Sequence, residues 1–329
     1  MSTRTPAQRA RTRQMLEICR RHYLHDESMV SIGERLGISR FKVARLLQEA
    51  RDTGLVTIQL NGGGEDDEAL SLRVARHLGM RQVTVVEAFG TPEEYRRIVG
   101  ARAGRLLASA LANGDTLGLG WGRTLVHMIE SIDHLPSVQV LQLCGAVGSN
   151  LSQSPIELVR KAALIGGNNA KAILAPLYID DPNVARAMRN QPDIAEVLKL
   201  FDTVTTAAIS VGSFIPASDG SSNNQFMPLL PAAVQERLLA DGAIAEICGT
   251  PYRQDGSVAD RDFLQHIVAI TPEQLSQIPR VIAVASDSSK AGAIWALARA
   301  RVVSELVIDA DLAEAVLAMP RLDGRGDVK

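Results

Sequence analysis

The pattern of apolar and polar positions changes along the chain. The first sixty residues have helical periodicity, whereas most later apolar segments are short and rich in β-branched residues. Residues 28–60 predict two helices joined by a glycine turn, followed by a strand after a second glycine. Ile32 and Leu36 lie four residues apart on one face of the first helix. The buried face of the second helix is predicted to be Val43, Leu46 and Leu47. This arrangement is typical of a helix-turn-helix, whose second helix enters the DNA major groove.

The residues that connect these elements fit the same motif. Gly37 can supply the left-handed turn conformation, and Ser39 is a good N-cap for the second helix. Ile38 precedes that cap, where its side chain can wedge between the two helices. Gly54 ends the second helix, and the alternating residues 55–60 are interpreted as the wing of a winged helix.

The second helix carries the candidate DNA contacts, beginning with its N-cap Ser39. Four further side chains are not used by the apolar stripe and are predicted to face outward: Arg40, Phe41, Lys42 and Arg45. Arginine and lysine suit both phosphate neutralisation and contact with guanine. The alternative interpretation is a helical hairpin with a solvated charged face. The agreement of spacing, turn, cap and wing favours DNA binding.

The rest of the chain predicts an α/β fold. Short, mostly continuously apolar segments recur with helical segments between several of them, which is typical of a parallel sheet covered by helices. The segments are QVTVVEA, DTLGLG, SVQVLQLCG, AKAILAPLY, VTTAAISVG, RVIAVAS and SELVID. The glycine-rich acidic stretch 61–68 is predicted to be a linker between a DNA-binding domain at 1–60 and a second domain at 69–329.

Charge separates the same two parts. The formal net charge of −2 combines +5 on residues 1–60 with −7 on the remainder. A basic first domain and an acidic second one indicate that nucleic acid is bound only by the first. The three cysteines fit neither a disulfide framework nor a zinc site, and we expect no metal and no cofactor. Neither a signal peptide nor a membrane span is evident, and the cytoplasm is the expected compartment.

The loop GLGWGRTL at 118–125 is the most informative candidate site in the second domain. A predicted strand ends there in a glycine-rich turn, and a helix begins at Thr124. Backbone N–H groups and the helix N-terminus favour an anion, with Arg123 and Thr124 as direct phosphate contacts. The candidate residues are Gly120, Trp121, Gly122, Arg123 and Thr124. The loop matches neither a dinucleotide fingerprint nor a P-loop, and a tight turn that simply needs glycine is the alternative.

Further candidates follow other strands, where ligands of such sheets bind. Gly212, Ser213 and Phe214 follow one strand, and Asp287 and Lys290 follow another. A lysine near a helix start opposes the helix dipole unless an anion compensates it, which makes Lys290 a candidate ligand contact. The remaining candidate is Glu246, which could accept sugar hydroxyls or be an ordinary surface carboxylate. Trp121 is either a pocket wall or core.

With these motifs in order, the chain resembles the SorC family of bacterial transcriptional regulators, related to the DeoR-type sugar-responsive repressors. The stretches that carry the resemblance are VSIGERLGISRFKVARLLQEARDTGLV, GDTLGLGWGRTL, LQLCGAVG, the segment at 242–249 and IPRVIAVASDSSKAGAIWALARARVVSELVID. The resemblance runs over residues 14–318. It implies a winged helix-turn-helix followed by an α/β effector domain similar to the ribose-phosphate isomerase, glucosamine-phosphate deaminase and CoA-transferase fold.

The resemblance also implies a sugar or polyol effector, usually phosphorylated, and a homo-oligomer that is commonly a tetramer. Gly122, Arg123 and Thr124 match the phosphate cradle, Lys290 the lysine near the phosphate, and Glu246 an acidic position that reaches hydroxyls. A polar effector contact is further implied at Gln153. The SDSSK stretch departs from the glycine-rich version of this loop in many relatives, which affects the expected shape of the pocket near Lys290.

The sequence is compatible with three functions. The leading hypothesis is a regulator that binds double-stranded operator DNA of a carbohydrate or polyol catabolic operon and responds to an effector. The second is a sugar-phosphate isomerase or deaminase, for which Asp219 and Glu246 are acid–base candidates. The third is a DNA-binding scaffold without a small-molecule ligand. The basic first domain would be unexplained in an enzyme, so a non-enzymatic role is preferred.

Overall fold

The computed structural model describes residues 5–56, 63–148, 154–166, 169–217, 220 and 222–322. The chain divides into two compact units, residues 1–61 and 62–329, which we call the head and the body. Within the described residues, every helix is too short or too polar to cross a membrane.

The head is a helix-turn-helix, as the sequence predicts, and one longer helix precedes it. Its helices are α1 (Pro6–Cys19), which continues into a π-helical turn at Arg20–Leu24, α2 (Met29–Leu36) and α3 (Arg40–Asp52). Gly37 ends α2 in the left-handed conformation, with φ of 63°. The hydroxyl of Ser39 accepts a hydrogen bond from the Lys42 N–H at 3.2 Å and so caps α3.

A separate apolar cluster holds the head together. The predicted residues Ile32, Val43, Leu46 and Leu47 are all buried in it, and Ile38 packs against it. Its other buried members are Met15, Ile18, Cys19 and Ala50. Of the predicted wing, Leu55 and Val56 pack against this cluster, and residues 57–60 lie outside the described residues.

The body is built on an eight-stranded sheet. Its strands, in spatial order, are β1 (Gly63–Asp66), β2 (Gln82–Ala88), β11 (Glu305–Asp309), β10 (Arg280–Val284), β6 (Thr206–Ser210), β3 (Thr116–Leu119), β4 (Gln139–Gln142) and β5 (Ala170–Lys171). All neighbours are parallel except β1 and β2, which are antiparallel. The predicted α/β class with a mostly parallel sheet is therefore confirmed.

Ten α-helices are assigned in the described part of the body. They are α4 (Glu68–Leu78), α5 (Pro92–Ala110), α6 (Arg123–Glu130), α7 (Pro155–Gly166), α8 (Pro182–Arg189), α9 (Pro192–Lys199), α10 (Ala232–Ala240), α11 (Pro272–Gln277), α12 (Ala291–Ala300) and α13 (Ala310–Leu317). One large apolar core joins the sheet and its helices. The parallel strands are mostly buried along their length because helices pack against the sheet.

Three features of the body differ from the sequence-based expectations. Residues 63–66 of the predicted linker form the edge strand β1, and Asp67 caps α4. The segment at 170–178 contributes only the two residues of β5 as a strand. A small antiparallel sheet, absent from the prediction, consists of β7 (Gly212–Ser213), β8 (Ala243–Ile247) and β9 (Thr250–Arg253).

Candidate functional site

The candidate recognition face of the head, which is the exposed side of the first part of α3, is a charged surface with one aromatic side chain. Arg40, Phe41, Lys42 and Arg45 are all exposed at the start of α3, which is the face left free by the apolar cluster. The Phe41 side chain is 72% exposed, and the Arg40 guanidinium lies 4.8 Å from its ring centroid. Three cations on the exposed face of a helix that follows a tight turn suit contact with DNA phosphates and base edges.

A polar pocket lies in the body, lined from the carboxyl ends of the adjacent strands β3, β6 and β10. Loops that follow parallel strands meet at one edge of a sheet, which brings these three together. The lining residues are Arg96, Trp121, Gly122, Arg123, Thr124, Ser210, Val211, Gly212, Asn223, Gln225, Glu246, Ser286, Asp287 and Lys290. Eight of the twelve predicted effector residues are thus in one pocket.

The turn between β3 and α6 shapes one wall of this pocket. Gly122 has a φ of 147°, and a Cβ there would overlap Ser210 Oγ, so a glycine is required by both conformation and space. Ser210 Oγ donates a hydrogen bond to the carbonyl of Trp121. The N-cap residue of α6 is Gly122, which has no side chain to cap the helix, and Arg123 and Thr124 are the first two residues of α6. The N-terminus of α6 therefore faces a pocket suited to an anion.

Lys290 supplies a buried positive charge to the same pocket. Its ammonium group donates a hydrogen bond to the carbonyl of Val211 at 2.9 Å. Burial and, to a smaller extent, the charge of Arg123 lower the pKa of Lys290 to about 8, and the neighbouring Asp287 opposes this shift. A bound anion would stabilise the charged form of this lysine.

Glu246 faces the pocket from β8 and is only 5% exposed, so it is not an ordinary surface carboxylate. Burial raises its pKa to about 7, although the Gly249 N–H, which donates to Oε1 at 2.5 Å, and the charge of Lys290 both lower it. Oε2 lies 2.5 Å from the position that a Cβ on Gly212 would occupy. The carboxylate therefore packs directly over this glycine.

Four predicted effector residues do not line the pocket. Gly120 is buried at the end of β3, where its N–H donates to the Ala208 carbonyl at 2.9 Å. Ser213 is buried in β7, with its hydroxyl accepting from the Ile215 N–H at 3.1 Å. The Phe214 ring packs against the apolar core of the body. Gln153 lies outside the described residues.

Six lining residues were missed by the sequence-based prediction. Ser210, Val211 and Ser286 end or follow strands, so the rule that identified their neighbours could also have found them. Arg96 lies inside the helix α5, where neither a strand end nor a helix start marks it. Asn223 and Gln225 lie in an irregular segment, and the Asn223 amide donates to Ser289 Oγ at 2.5 Å. Trp121, 8% exposed, serves as both pocket wall and core.

The chemistry of the pocket suits a ligand that combines an anionic group with hydroxyls. Arg96, Arg123 and Lys290 provide positive charge, and Glu246 provides an acceptor. Hydroxyl and amide groups complete the polar lining at Thr124, Ser210, Asn223, Gln225 and Ser286. Arginine and lysine with a helix N-terminus are typical of phosphate binding, whereas carboxylate and amide groups suit sugar hydroxyls.

Comparison with known proteins identifies relatives of the body and of the whole chain. Residues 64–318 match the family model described as "Putative sugar-binding domain". The transcriptional regulator LsrR of Enterobacter sp. (strain 638) is 27% identical over 302 residues, which cover 90% of each chain. The sorbitol operon regulator of Klebsiella pneumoniae is 25% identical over 313 residues, covering 93% of this chain and 98% of that protein.

Solved structures agree with this relationship. The full-length sorbitol operon regulator SorC from Klebsiella pneumoniae superposes with a TM-score of 0.69 at 22% identity, covering 93% of this chain and 99% of that chain. A DeoR family transcriptional regulator from Listeria monocytogenes superposes with a TM-score of 0.66 at 21% identity, covering 75% of this chain and 98% of that chain. At these identities the likeness shows the fold.

Proposed function

The chain belongs to the SorC family of sugar-binding transcriptional regulators, and from this premise we propose how it works. The head binds operator DNA of a carbohydrate or polyol catabolic operon, and a sugar or polyol phosphate in the body pocket changes the affinity for that DNA. The observation that carries the proposal is the convergence of Arg123, Thr124, Glu246 and Lys290 in one pocket. An effector alters DNA affinity only by binding two states of the protein unequally.

The DNA-binding half of the proposal is tested by removing one cation from the recognition face. We expect Arg45→Ala to abolish specific operator binding in a gel-shift assay, because Arg45 is an exposed cation on α3 outside the apolar cluster. The matched control is Arg105→Ala, an exposed arginine on α5 in the body. Full-affinity, sequence-specific binding by Arg45→Ala would contradict the role given to this face.

The effector half is tested by a melting-temperature screen against sugar phosphates, polyol phosphates and the corresponding free sugars. A ligand that binds only the folded protein at about 100 times its Kd stabilises it by about 2.7 kcal/mol, which raises the melting temperature measurably. Because the pocket combines three cations with a carboxylate, we expect phosphorylated compounds to stabilise the protein more than the free sugars do.

A pocket variant distinguishes this site from other binding sites. Gly212→Ala places a methyl group against Glu246 Oε2, so we expect it to displace the carboxylate and weaken the stabilising ligand at least tenfold. Gly292→Ala is the matched control, since its methyl group would meet only Ile215 Cδ1 at 3.8 Å. Equal ligand affinity in both variants would place the effector elsewhere.

We further propose that the protein is not an enzyme and that the body pairs the heads. A single head neutralises few phosphates, so specific binding requires at least two heads, as in a dimer or tetramer.

A sugar-phosphate isomerase or deaminase would consume the ligand found in the screen. Incubating that ligand with the protein and recording its NMR spectrum over hours tests this, and we expect the spectrum to remain unchanged.

A further inference from the structure

Phe41 is an exposed aromatic side chain in the most highly charged part of the head. It is the second residue of α3, lies between Arg40 and Lys42, and is 72% exposed. The apolar cluster formed by the described residues of the head does not include Phe41, so the packing of this cluster does not explain an aromatic residue at this position. Fully burying a phenylalanine side chain stabilises a protein or complex by about 1.5–3 kcal/mol relative to leaving it exposed. The exposed Phe41 ring does not contribute this stabilisation to the head.

The position of Phe41 on α3 limits what it can contact in a DNA complex. In a helix-turn-helix, the N-terminal residues of the second helix face base edges in the major groove. A phenyl ring has no hydrogen-bond donor or acceptor, so it does not suit phosphates or the polar base edges. The apolar group that the major groove offers is the C5-methyl group of thymine.

The flanking cations orient the ring toward DNA. The Arg40 guanidinium lies 4.8 Å from the ring centroid, a cation–π contact that restricts the ring before DNA binds. Arg40, Lys42 and Arg45 are exposed on the same helix and attract the phosphates on either side of the groove. Binding would therefore bring the ring to the base edges.

We propose that Phe41 is a specificity-determining residue that contacts the C5-methyl group of a thymine in the operator. This inference rests on the proposed DNA-binding function and adds a particular base to it. The test uses the full chain and duplexes selected by the wild-type protein from a random library. Each thymine of the selected duplex is replaced in turn by uracil, which keeps every hydrogen-bonding group and removes only the methyl group.

We expect one uracil position in each half-site to weaken wild-type binding about 3- to 10-fold, the effect of one buried methyl group. Phe41→Ala should weaken binding to the thymine duplex by a similar factor and lose all sensitivity to that uracil, as a double-mutant cycle requires for a direct contact. Lys42→Ala is the matched control. It should weaken both duplexes equally and keep their ratio, because a lysine contacts phosphates or polar base edges and not the thymine methyl group.

Two results would overturn the inference while leaving the proposed function intact. Wild-type binding could be indifferent to uracil at every thymine, or Phe41→Ala could keep the full sensitivity to uracil. If Phe41→Ala also lowers the oligomeric mass in light scattering while keeping that sensitivity, Phe41 packs against a second copy of the chain instead. Failure of the wild-type protein to select any sequence from the library would instead contradict the proposed function itself.

Discussion

Glu246 and Lys290 show how burial changes the chemistry of two residues that the sequence identifies only as candidates. In the folded body the pKa of Glu246 is about 7 and that of Lys290 about 8. Both shifts have burial as their largest cause, and each group's charge opposes the shift of the other. Burial therefore makes it costly to hold both groups in their charged forms, and a complementary ligand can offset this cost.

We expect Glu246 to make the free energy of unfolding depend on pH. A folded-state pKa above the ordinary 4.5 means that the folded protein binds more protons than the unfolded chain between pH 4.5 and 7. The contribution of Glu246 to the free energy of unfolding therefore falls as the pH rises through this window, by about 3 kcal/mol at most. For Lys290, whose pKa is lowered from 10.5, the contribution rises with pH between about 8 and 10.5.

Glu246→Gln should remove the fall between pH 4.5 and 7, because the glutamine amide does not titrate, and its oxygen can still accept a hydrogen bond from the Gly249 N–H. Urea unfolding at several pH values, followed by tryptophan fluorescence, measures the free energy of unfolding. Both tryptophans, Trp121 and Trp295, are in the body. Glu236→Gln, an exposed carboxylate on α10, is the control and should leave the wild-type profile unchanged. The same slope in the Glu246→Gln variant as in the wild type would exclude this carboxylate as its source.

Individual site residues were predictable where a strand end or a helix start marks them. Arg123, Thr124 and Lys290 follow this pattern, and the structure places all three in the pocket. Arg96 and Asn223 reach the pocket from a long helix and an irregular segment, so only the tertiary fold brings them there. The same strand-end rule also assigned Ser213 and Phe214 to the pocket, whereas Ser213 is buried in β7, which pairs with β8, and the Phe214 ring packs against the apolar core.

At the scale of elements, the two ends of the sheet carry different groups of side chains. Pocket residues lie at the carboxyl ends of the strands, whereas an ion-pair cluster lies at the amino ends of β2, β11 and β10. Glu305, the first residue of β11, has a fully buried side chain and is paired with Arg81 and with Arg280, whose Nε lies 2.7 Å from Oε1. One carboxylate therefore joins three neighbouring parallel strands.

The second prediction concerns this cluster. Glu305→Gln should lower the free energy of unfolding of the body by about 2–3 kcal/mol, because it removes a buried charge that two arginines pair with. The expected loss is at the low end for buried pairs because the side chains of Arg81 and Arg280 are 54% and 32% exposed. Urea unfolding measures this loss, and ligand affinity should stay at the wild-type value because the pocket is at the opposite end of the strands.

Glu314→Gln provides the comparison, since its pair with Arg73 at 3.3 Å has both side chains more than half exposed. Its loss should be at most about 1 kcal/mol. Equal losses in the two variants would mean that burial does not set the strength of the Glu305 cluster.

The elements themselves were predictable to different degrees. β2 and α3 were predicted closely, because their apolar periods continue over several residues between clear start and stop signals. The strand β1 was missed because its sequence, GGED, has no apolar pattern. A mostly exposed strand at the edge of a sheet does not need one. The small sheet of β7, β8 and β9 was also missed, since the apolar segments at 204–212 and 242–249 do not indicate which strands pair.

At the scale of the whole molecule, charge assigns different tasks to the two units. With +5 on residues 1–60 and −7 on the remainder, electrostatic attraction to DNA is confined to the head. The body is acidic overall, but three cations, Arg96, Arg123 and Lys290, line its pocket. This separation of charge suits the proposed function, in which the head binds DNA and the body pocket binds a sugar or polyol phosphate.

The third prediction follows from pairing the heads through the body. Two heads related by symmetry each place an α3 in the major groove on the same side of the duplex, so half-site centres should be separated by whole helical turns of about 10–10.5 base pairs. Inserting five base pairs between the half-sites turns one of them to the opposite side of the duplex. We expect this insertion to weaken binding about 100-fold or more, because the second head no longer binds intramolecularly.

An insertion of ten base pairs restores the shared side of the duplex, so binding should recover at least in part, and gel-shift titrations on the three duplexes measure the effect. The control duplex keeps the natural spacing but has one half-site scrambled, and it should bind as weakly as the five-base-pair insertion. If that insertion left the affinity unchanged, each head would be binding DNA independently. The body would then serve the effector alone, and effector binding could not be coupled to DNA affinity through a change in how the heads are paired.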